Sequence, residues 1–256
     1  MHALLETSEN NAYTEDSLLG GKIMIRQPAQ GYRVAIDPLL LAASISVEPG
    51  ESVLDVGAGV GAAGLCLAAR FPYCRIMGIE RQKDLVRLAT DNIRLNNLRE
   101  RVEILHGDLK SPPPRLAAGS YSQVISNPPY FEMNSGRLSP VDSKALSNYE
   151  ELADMEAWIK FCLLMLKPQG KITFIYRADM LDRLLSLFYG KVGDVSIFPL
   201  WPAKNHLAKR VIVQGIKGSK GSLSLLSGMF IHNEDGSFTQ AADAILRNAE
   251  SLLLNS

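Results

Sequence analysis

The sequence Ser52-Val53-Leu54-Asp55-Val56-Gly57-Ala58-Gly59-Val60-Gly61 is a short apolar run that passes directly into closely spaced glycines. The apolar run predicts a buried strand over residues 52–56, and residues 61–71 predict the helix that follows it. Glycines allow the chain to turn sharply and to approach a ligand closely, while a helix N-terminus presents unpaired N–H groups. These residues therefore predict a strand–loop–helix unit with a ligand at its loop.

On both sides of this unit, short apolar runs alternate with helical stretches. Strands are predicted at residues 75–80, 102–105, 121–126 and 171–176, and helices at 83–96, 152–166 and 179–189. Such alternation implies parallel β-α-β units with right-handed crossovers. The last two predicted strands, 194–201 and 209–216, have no helix between them and should pair antiparallel. The predicted fold class is α/β, with a doubly wound, mostly parallel sheet and an antiparallel strand pair towards the C-terminus.

The composition indicates one large domain. The chain has 256 residues, of which 46% are apolar and 21% charged, so it can bury a full core. Residues 1–18 are predicted to be a disordered acidic tail, and residues 19–256 a single domain. Within it, residues 19–50 form a strand and a helix, with Asp37 as the helix N-cap and Pro38 at its first position. Residues 51–216 form the core, and residues 217–256 a hairpin and a helix.

Several features bear on the cellular compartment and on partners. The three cysteines, Cys66, Cys74 and Cys162, form no Cys-x-x-Cys pair, which argues against a disulfide framework or a zinc site. The first 21 residues have no apolar core of a signal peptide, and no apolar stretch reaches the ~18 residues of a membrane helix. A soluble cytoplasmic protein is therefore expected. Because 27 basic residues balance 27 acidic ones, a nucleic acid would have to be bound by a local patch.

The glycine loop suits a nucleotide-containing cofactor. Gly57, Gly59 and Gly61 supply its turn, and Gly59-Val60-Gly61-Ala62-Ala63-Gly64 also satisfies the dinucleotide pattern G-x-G-x-x-G. Asp55 precedes the first glycine by two positions, where its carboxylate would repel a pyrophosphate and attract the ammonium group of an amino-acid moiety. This acid favours S-adenosylmethionine over a nicotinamide cofactor, which stays as the alternative.

Two further acids extend the candidate cofactor site. Glu80 ends the next predicted strand, where a carboxylate can accept hydrogen bonds from both ribose hydroxyls of either cofactor. Asp108 lies just past the third strand of the series, where it can accept from an adenine amino group. The backbone N–H of Leu109 can donate to a ring nitrogen of the same base. A solvated loop aspartate is the alternative interpretation of Asp108.

The run Asn127-Pro128-Pro129-Tyr130 directly follows the predicted strand at residues 121–126. Two prolines restrict the backbone and predict a rigid loop at a strand end, where ligands of open α/β sheets bind. The Asn127 side chain and the Pro128 carbonyl offer two acceptors for an NH₂ group, and Tyr130 offers a face for a planar substrate. We therefore predict that Asn127, Pro128 and Tyr130 bind an exocyclic amine and that Asn127 also contacts the cofactor.

These motifs resemble the class I S-adenosylmethionine-dependent methyltransferases that carry an Asn-Pro-Pro-Tyr motif. Among them the chain is most similar to the bacterial tRNA1(Val) (adenine-37-N6)-methyltransferase family, also through Gln30-Gly31-Tyr32-Arg33-Val34-Ala35-Ile36-Asp37 and Ala208-Lys209-Arg210-Val211-Ile212-Val213. The resemblance implies a seven-stranded sheet, S-adenosylmethionine as cofactor and an adenine of the tRNA anticodon loop as substrate. It also implies that Tyr32, Arg33 and Asp37 close over the cofactor. One departure is Leu146-Ser147-Asn148-Tyr149-Glu150, where relatives commonly have an Ala-Arg-His-Glu-like stretch.

Other substrates and activities stay open. Guanine N2-methyltransferases and protein-glutamine N5-methyltransferases share the Asn-Pro-Pro-Tyr motif, although the glutamine enzymes usually have a larger helical segment before the first sheet strand. Nicotinamide-dependent oxidoreduction and non-catalytic RNA binding are more distant alternatives. For RNA, a basic run free of acids between residues 204 and 220 offers phosphate contacts. Its cations are Lys204, Lys209, Arg210, Lys217 and Lys220, with Arg137 and Lys144 as a possible extension and Phe131 and Trp201 as candidate stacking residues.

Overall fold

The computed structural model describes residues 13–31, 33–129, 142–252 and 254, and of residues 142–153 it describes only the helical backbone. The helices are α1 (Asp37–Ala43), α2 (Ala62–Arg70), α3 (Lys83–Leu95), α4 (Asp142–Met165), α5 (Leu181–Phe188) and α6 (Gln240–Asn248). The strands are β1 (Tyr13–Leu18), β2 (Ile23–Pro28), β3 (Ser52–Val56), β4 (Arg75–Glu80), β5 (Val102–His106), β6 (Tyr121–Ser126), β7 (Leu166–Arg177), β8 (Val192–Trp201), β9 (Arg210–Lys217), β10 (Ser224–Leu225) and β11 (Met229–Phe230).

The central sheet has the predicted α/β architecture. Strand β3 is flanked by β4 and then β5 on one side, and by β6 and then β7 on the other, all in parallel. Strand β9 lies between β7 and β8 and is antiparallel to both, which confirms the predicted antiparallel pair. Beside the seven strands that the resemblance implies, the described part of the chain adds β10 and β11, two residues each, parallel to β8.

This topology fixes where a ligand can bind. The carboxyl ends of β3, β4, β5 and β6 meet at one edge of the sheet, and the strand order reverses between β3 and β6. In open α/β sheets the crevice at such a reversal is the usual ligand site. Alternate residues of the strands supply two cores: Val53 faces α1, α2, α3 and α6, whereas Leu54 faces α4 and α5.

The structure corrects two predictions at the ends of the chain. Residues 13–18 of the predicted disordered tail form β1, which pairs antiparallel with β2, while residues 1–12 lie outside the described part. This mostly polar segment is stabilised as a strand by its pairing with β2. After residue 217, β10 and β11 pair with β8 instead of with each other, and the antiparallel contact of a hairpin is limited to one bridge, His232 to Phe238.

Two asparagines attach the hairpin of β1 and β2 to helix α3. The side chain of Asn92 accepts from the backbone N–H of Arg26 and donates to the Arg26 carbonyl and to the Val60 carbonyl of the glycine loop. One helical turn later, Asn96 exchanges the same pair of hydrogen bonds with Met24. Side-chain amides thus occupy the hydrogen-bonding groups of an otherwise free strand edge, and the fully buried Asn92 joins that edge to the glycine loop.

Among the described residues, no helix has both the length and the apolar character that a bilayer crossing requires. The same part of the chain contains no group of three or more side chains placed to hold a metal ion. Its three cysteines are all buried and unpaired.

Candidate functional site

A cavity of about 340 Å³ opens at the carboxyl ends of β3, β4, β5 and β6. It is placed where the strand order reverses, and its walls come from the loops that follow these strands and from helix α4. It brings together six of the residues predicted from the sequence: Gly57, Gly59, Glu80, Asp108, Leu109 and Asn127. Pro129, Lys110, Asp154 and Trp158 also line it. The convergence of strand ends therefore assembles six of the thirteen predicted site residues.

The glycine loop is closely packed on both sides. Gly57 and Ala58 donate their backbone N–H groups to the Ile79 carbonyl at 2.9 and 3.0 Å, which ties the loop to β4. Gly57 has a φ of 77°, and a Cβ at this position would lie 2.7 Å from Cζ2 of Trp158. Both its conformation and its contact with the indole therefore require glycine.

Glu80 is 8% exposed and lies beside the loop at the cavity wall. Its Oε2 accepts from the Gly59 N–H at 3.0 Å, and its Oε1 accepts from the Gln82 N–H at 2.8 Å. Each carboxylate oxygen has a second lone pair for a ligand. The loop thus fixes the orientation of a carboxylate that can accept two hydroxyl hydrogen bonds.

The loop after β5 forms the opposite wall. Asp108 Oδ1 accepts from the Lys110 N–H at 2.9 Å, and its carbonyl accepts from the Ser111 N–H, so the turn is held by its own backbone. The Lys110 ammonium lies 3.1 Å from Asp154 Oδ1 of α4. Because both side chains are substantially exposed, this ion pair adds little stability. It does, however, join two walls of the cavity.

Asn127 directly follows β6 and lines the cavity. Its Oδ1 is buried and has no hydrogen-bond partner among the described residues. A buried amide oxygen without a partner costs about 1–3 kcal/mol, and at a cavity wall a ligand can supply that partner. Pro128 is buried behind it, Pro129 lines the cavity, and Tyr130 lies outside the described residues.

Asp55 occupies a different position from the one expected. It is 2% exposed, does not line the cavity, and its Oδ2 has no partner among the described residues. Burial raises the pKa of Asp55 to about 7, the Gly64 N–H lowers it, and the negative charge of Glu80 raises it further. Because Asp55 lies on the strand beneath the N-terminus of α2, we interpret it as an acid under the glycine loop instead of a direct ligand contact.

The raised pKa of Asp55 predicts a specific pH dependence of stability. Its folded pKa exceeds its unfolded pKa, so the unfolded state loses the proton first and stability falls as the pH rises from about 4 to about 7. A shift of this size corresponds to up to about 4 kcal/mol. We expect the unfolding free energy of Asp55→Asn, measured by urea denaturation, to lack this decline.

The matched control is Asp235→Asn, at an exposed turn where hydrogen bonds from Ser237 lower the pKa of the carboxyl. Because the pKa of that carboxyl is lowered, its replacement should leave the decline between pH 4 and 7 intact. Equal slopes for the wild type and Asp55→Asn would contradict the assignment.

Three residues expected at the cofactor are placed elsewhere. Arg33 donates to Thr14 Oγ1 and Asp16 Oδ2 of β1, both at 3.0 Å. Asp37 is the first residue of α1 and not its N-cap, which is Ile36, and its Oδ2 accepts from Arg210 Nε at 2.9 Å. Gly61 is the N-cap of α2 behind the cavity. Arg33 and Asp37 form ion pairs with residues distant in sequence and do not line the cavity, and Tyr32 lies outside the described residues.

The antiparallel direction of β9 divides the predicted basic run. Its first residue, Arg210, is in register with Arg177 at the end of β7, so Lys204 and Lys209 lie at the same sheet edge as the cavity. Lys217 is at the other end, where its ammonium donates to the carbonyls of Leu163 and Leu166. Lys217 and Arg210 are thus engaged in the fold. Exposed Lys220 follows Lys217 at the far edge. Phe131 and Arg137 lie outside the described residues, as does the side chain of Lys144.

Sequence reasoning missed Trp158, Lys110 and Asp154. Trp158 lies in the middle of α4, far from either motif, and its indole Nε1–H donates to Ser126 Oγ at 2.9 Å. A large aromatic residue in a predicted helix is typical of a core position, so no local pattern marks it as part of a cavity. Only its position on the helix after β6 could have suggested contact with the strand ends.

The chain is similar to known methyltransferases. Residues 33–142 match the model of the Methyltransferase small domain. Two relatives named tRNA1(Val) (adenine(37)-N6)-methyltransferase are those of Dyadobacter fermentans, 28% identical over 60% of this chain, and Porphyromonas gingivalis, 31% identical over 62%. The matches span only 62% and 64% of the length of those relatives.

Solved structures show the same fold. A predicted O-methyltransferase from Agrobacterium tumefaciens superimposes with a TM-score of 0.71 over 86% of this chain and 100% of its own, at 23% identity. TYW2 of P. horikoshii, in complex with MeSAdo, superimposes with a TM-score of 0.53 over 81% of this chain and 72% of its own, at 14% identity. The fold is therefore the Rossmann-like fold of class I methyltransferases. The chain matches the Methyltransferase small domain and is similar to the tRNA1(Val) (adenine(37)-N6)-methyltransferases, as its motifs predicted.

Proposed function

We propose that this protein is an S-adenosylmethionine-dependent methyltransferase that methylates the exocyclic N6 amino group of an adenine in RNA, with a tRNA as the substrate. The observation that carries the proposal is Asn127 Oδ1, a buried acceptor without a partner among the described residues, in the cavity that the glycine loop and Glu80 share. The named relatives supply the expectation of adenine and tRNA. We infer action in the cytoplasm, where tRNA is modified and thiols stay reduced.

The cavity residues fit S-adenosylmethionine. Gly57 and Gly59 line the cavity, so a ligand can lie against the loop. Glu80 would accept from the ribose hydroxyls, while Asp108 and the Leu109 N–H would contact the adenine. The bound cofactor would supply an electrophilic methyl group. A nicotinamide cofactor remains the alternative for the glycine loop, although the family match is to a methyltransferase domain.

Asn127 would act on the second substrate. An aryl amine is a weak nucleophile because its lone pair is delocalised into the ring. By accepting a hydrogen bond from the NH₂ group, Asn127 Oδ1 orients the nitrogen and increases its electron density, and the Pro128 carbonyl is the second proposed acceptor. Each hydrogen bond of this kind contributes about 1 kcal/mol, and more as positive charge develops on nitrogen. The proton can leave after transfer, so no strong side-chain base is required.

The direct test is methyl transfer from labelled S-adenosylmethionine to unmodified tRNA by the purified protein, followed by nucleoside mass spectrometry. N6-methyladenosine is the expected product. N2-methylguanosine, or methylglutamine with a protein substrate, would replace the adenine assignment with one of the two related alternatives. Hydride transfer with a nicotinamide cofactor, without methyl transfer, would overturn the proposal.

The division of the basic run predicts which lysines contact RNA. Lys204 and Lys209 are exposed at the sheet edge of the cavity, so alanine at each should weaken tRNA binding. Each replacement should also reduce the slope of log K against log salt by about 1, because one phosphate contact is lost. Fluorescence anisotropy with labelled tRNA at several salt concentrations measures both quantities.

Lys220→Ala is the matched control, since this lysine is equally exposed and lies at the opposite edge of the sheet. It should leave the affinity and the salt slope unchanged. If Lys220→Ala lowered the tRNA affinity equally, the lysines would act through a diffuse electrostatic effect and not through defined phosphate contacts.

A further inference from the structure

Trp158 contacts both halves of the candidate site. Its indole packs on the loop at Gly57, where an added Cβ would lie 2.7 Å from Cζ2 and 2.9 Å from Cη2. On its other side, the indole Nε1–H donates to Ser126 Oγ at 2.9 Å. Ser126 is the residue immediately before Asn127, and Gly57 is the first residue of the glycine loop. One side chain of α4 therefore touches the donor side and the acceptor side together.

The hydrogen bonds continue from Ser126 to β3. Ser126 Oγ donates to the Val56 carbonyl at 2.7 Å, and Val56 and Ser126 are in register in the parallel β3–β6 pair. The hydroxyl is fully buried, so both of these bonds are shielded from water. The chain Trp158–Ser126–Val56 thus connects the last residues of the two strands, directly before the two loops diverge.

We propose that Trp158 is a positioning residue that sets the distance and angle between Asn127 and the cofactor-binding loop. This inference rests on the proposed methyl transfer and adds to it a residue that no motif marks. Without the indole, Ser126 loses its donor and Gly57 loses its packing partner, so the loops gain freedom relative to each other. Transfer reactions depend steeply on alignment, because a bound geometry off by about 1 Å can cost about 100-fold in rate.

The kinetic test uses Trp158→Phe, which retains an aromatic ring but has no N–H. We expect kcat to fall about tenfold, as for the loss of one buried hydrogen bond, with KM for tRNA and the Kd of S-adenosylhomocysteine within about twofold of the wild type. Ser126→Ala should give a similar loss, and the double variant should lose no more than the larger single loss. The proposal would be overturned if the kcat losses of the two single variants multiplied strictly in the double variant. It would also be overturned if kcat of Trp158→Phe stayed within about threefold of the wild type, or if only its Kd or its thermal stability changed.

A spectroscopic readout separates positioning from mere packing. The chain has two tryptophans, so Trp201→Phe leaves Trp158 as the sole indole emitter. Saturation with S-adenosylhomocysteine, verified by calorimetry, should change the intensity or maximum of its emission, because the indole lines the cavity. An unchanged spectrum at saturation would contradict the proposal. The kinetic or the emission test can fail although the wild type transfers methyl groups normally. The proposed function would then stand, and only the role of Trp158 would be refuted.

Discussion

Asn127→Ala is expected to lower kcat by about 10²–10³-fold while S-adenosylhomocysteine binds with nearly wild-type affinity. The expected size is that of removing one preorganised hydrogen-bonding group from a water-excluded site, about 3–4 kcal/mol. Asn127 lines the cavity, and its Oδ1 is buried and unpartnered among the described residues, so its replacement breaks no described hydrogen bond of that oxygen. Single-turnover methyl transfer to tRNA and calorimetry with the cofactor product measure the two effects separately.

Asn127→Asp is the informative partner variant. A carboxylate retains the acceptor at the same position and should therefore keep more activity than alanine does. Asn233→Ala, at an exposed turn of the C-terminal segment, controls for the loss of an asparagine as such. If Asn127→Ala weakened cofactor binding by as much as it lowered kcat, the residue would only shape the pocket.

Gly57→Ala should abolish most cofactor binding. The added Cβ would lie 2.7 Å from the Trp158 ring, and the φ of 77° is unfavourable for alanine. Displacement of the indole or of the loop would disturb the surface on which the cofactor is proposed to lie. We expect the affinity for S-adenosylhomocysteine to fall by about 100-fold, equivalent to about 2.7 kcal/mol, together with a loss of stability of about 1–3 kcal/mol.

Gly50→Ala isolates the backbone contribution. Gly50 has a φ of 88°, and a Cβ there would meet nothing within 4 Å. This variant should cost about 1–2 kcal/mol of stability and leave cofactor affinity intact. Calorimetry and thermal unfolding of the two variants then separate strain from steric contact. Equal effects at both positions would show that the contact with Trp158 is unimportant.

The central strands were predictable because parallel strands buried on both faces are continuous apolar runs. The boundaries of β3, β4 and β6 agree with the prediction to the residue. Strand β1 was missed because its polar sequence becomes a strand only through its pairing with β2. Helix α4 begins at Asp142, ten residues before the predicted start.

The site also contains residues that the sequence predicts and residues that it does not. Glu80, Asp108 and Asn127 could be predicted together because the carboxyl ends of neighbouring parallel strands converge. Arg33 and Asp37 could not be placed, since their partners on β1 and β9 are distant in sequence. Trp158 is brought to the cavity because α4 packs on the sheet, and no spacing of residues in the sequence predicts that packing.

The two asparagines of α3 also bear on how the molecule opens. Detaching β2 would remove both hydrogen bonds between Asn92 and Arg26, while the hydrogen bond from Asn92 to the Val60 carbonyl would stay. Because buried amide groups are costly to leave unsatisfied, the hairpin should not fray independently at this point. Amide exchange at Arg26 should therefore be slow, because it requires breaking a hydrogen bond to the same buried side chain that holds the Val60 carbonyl of the glycine loop.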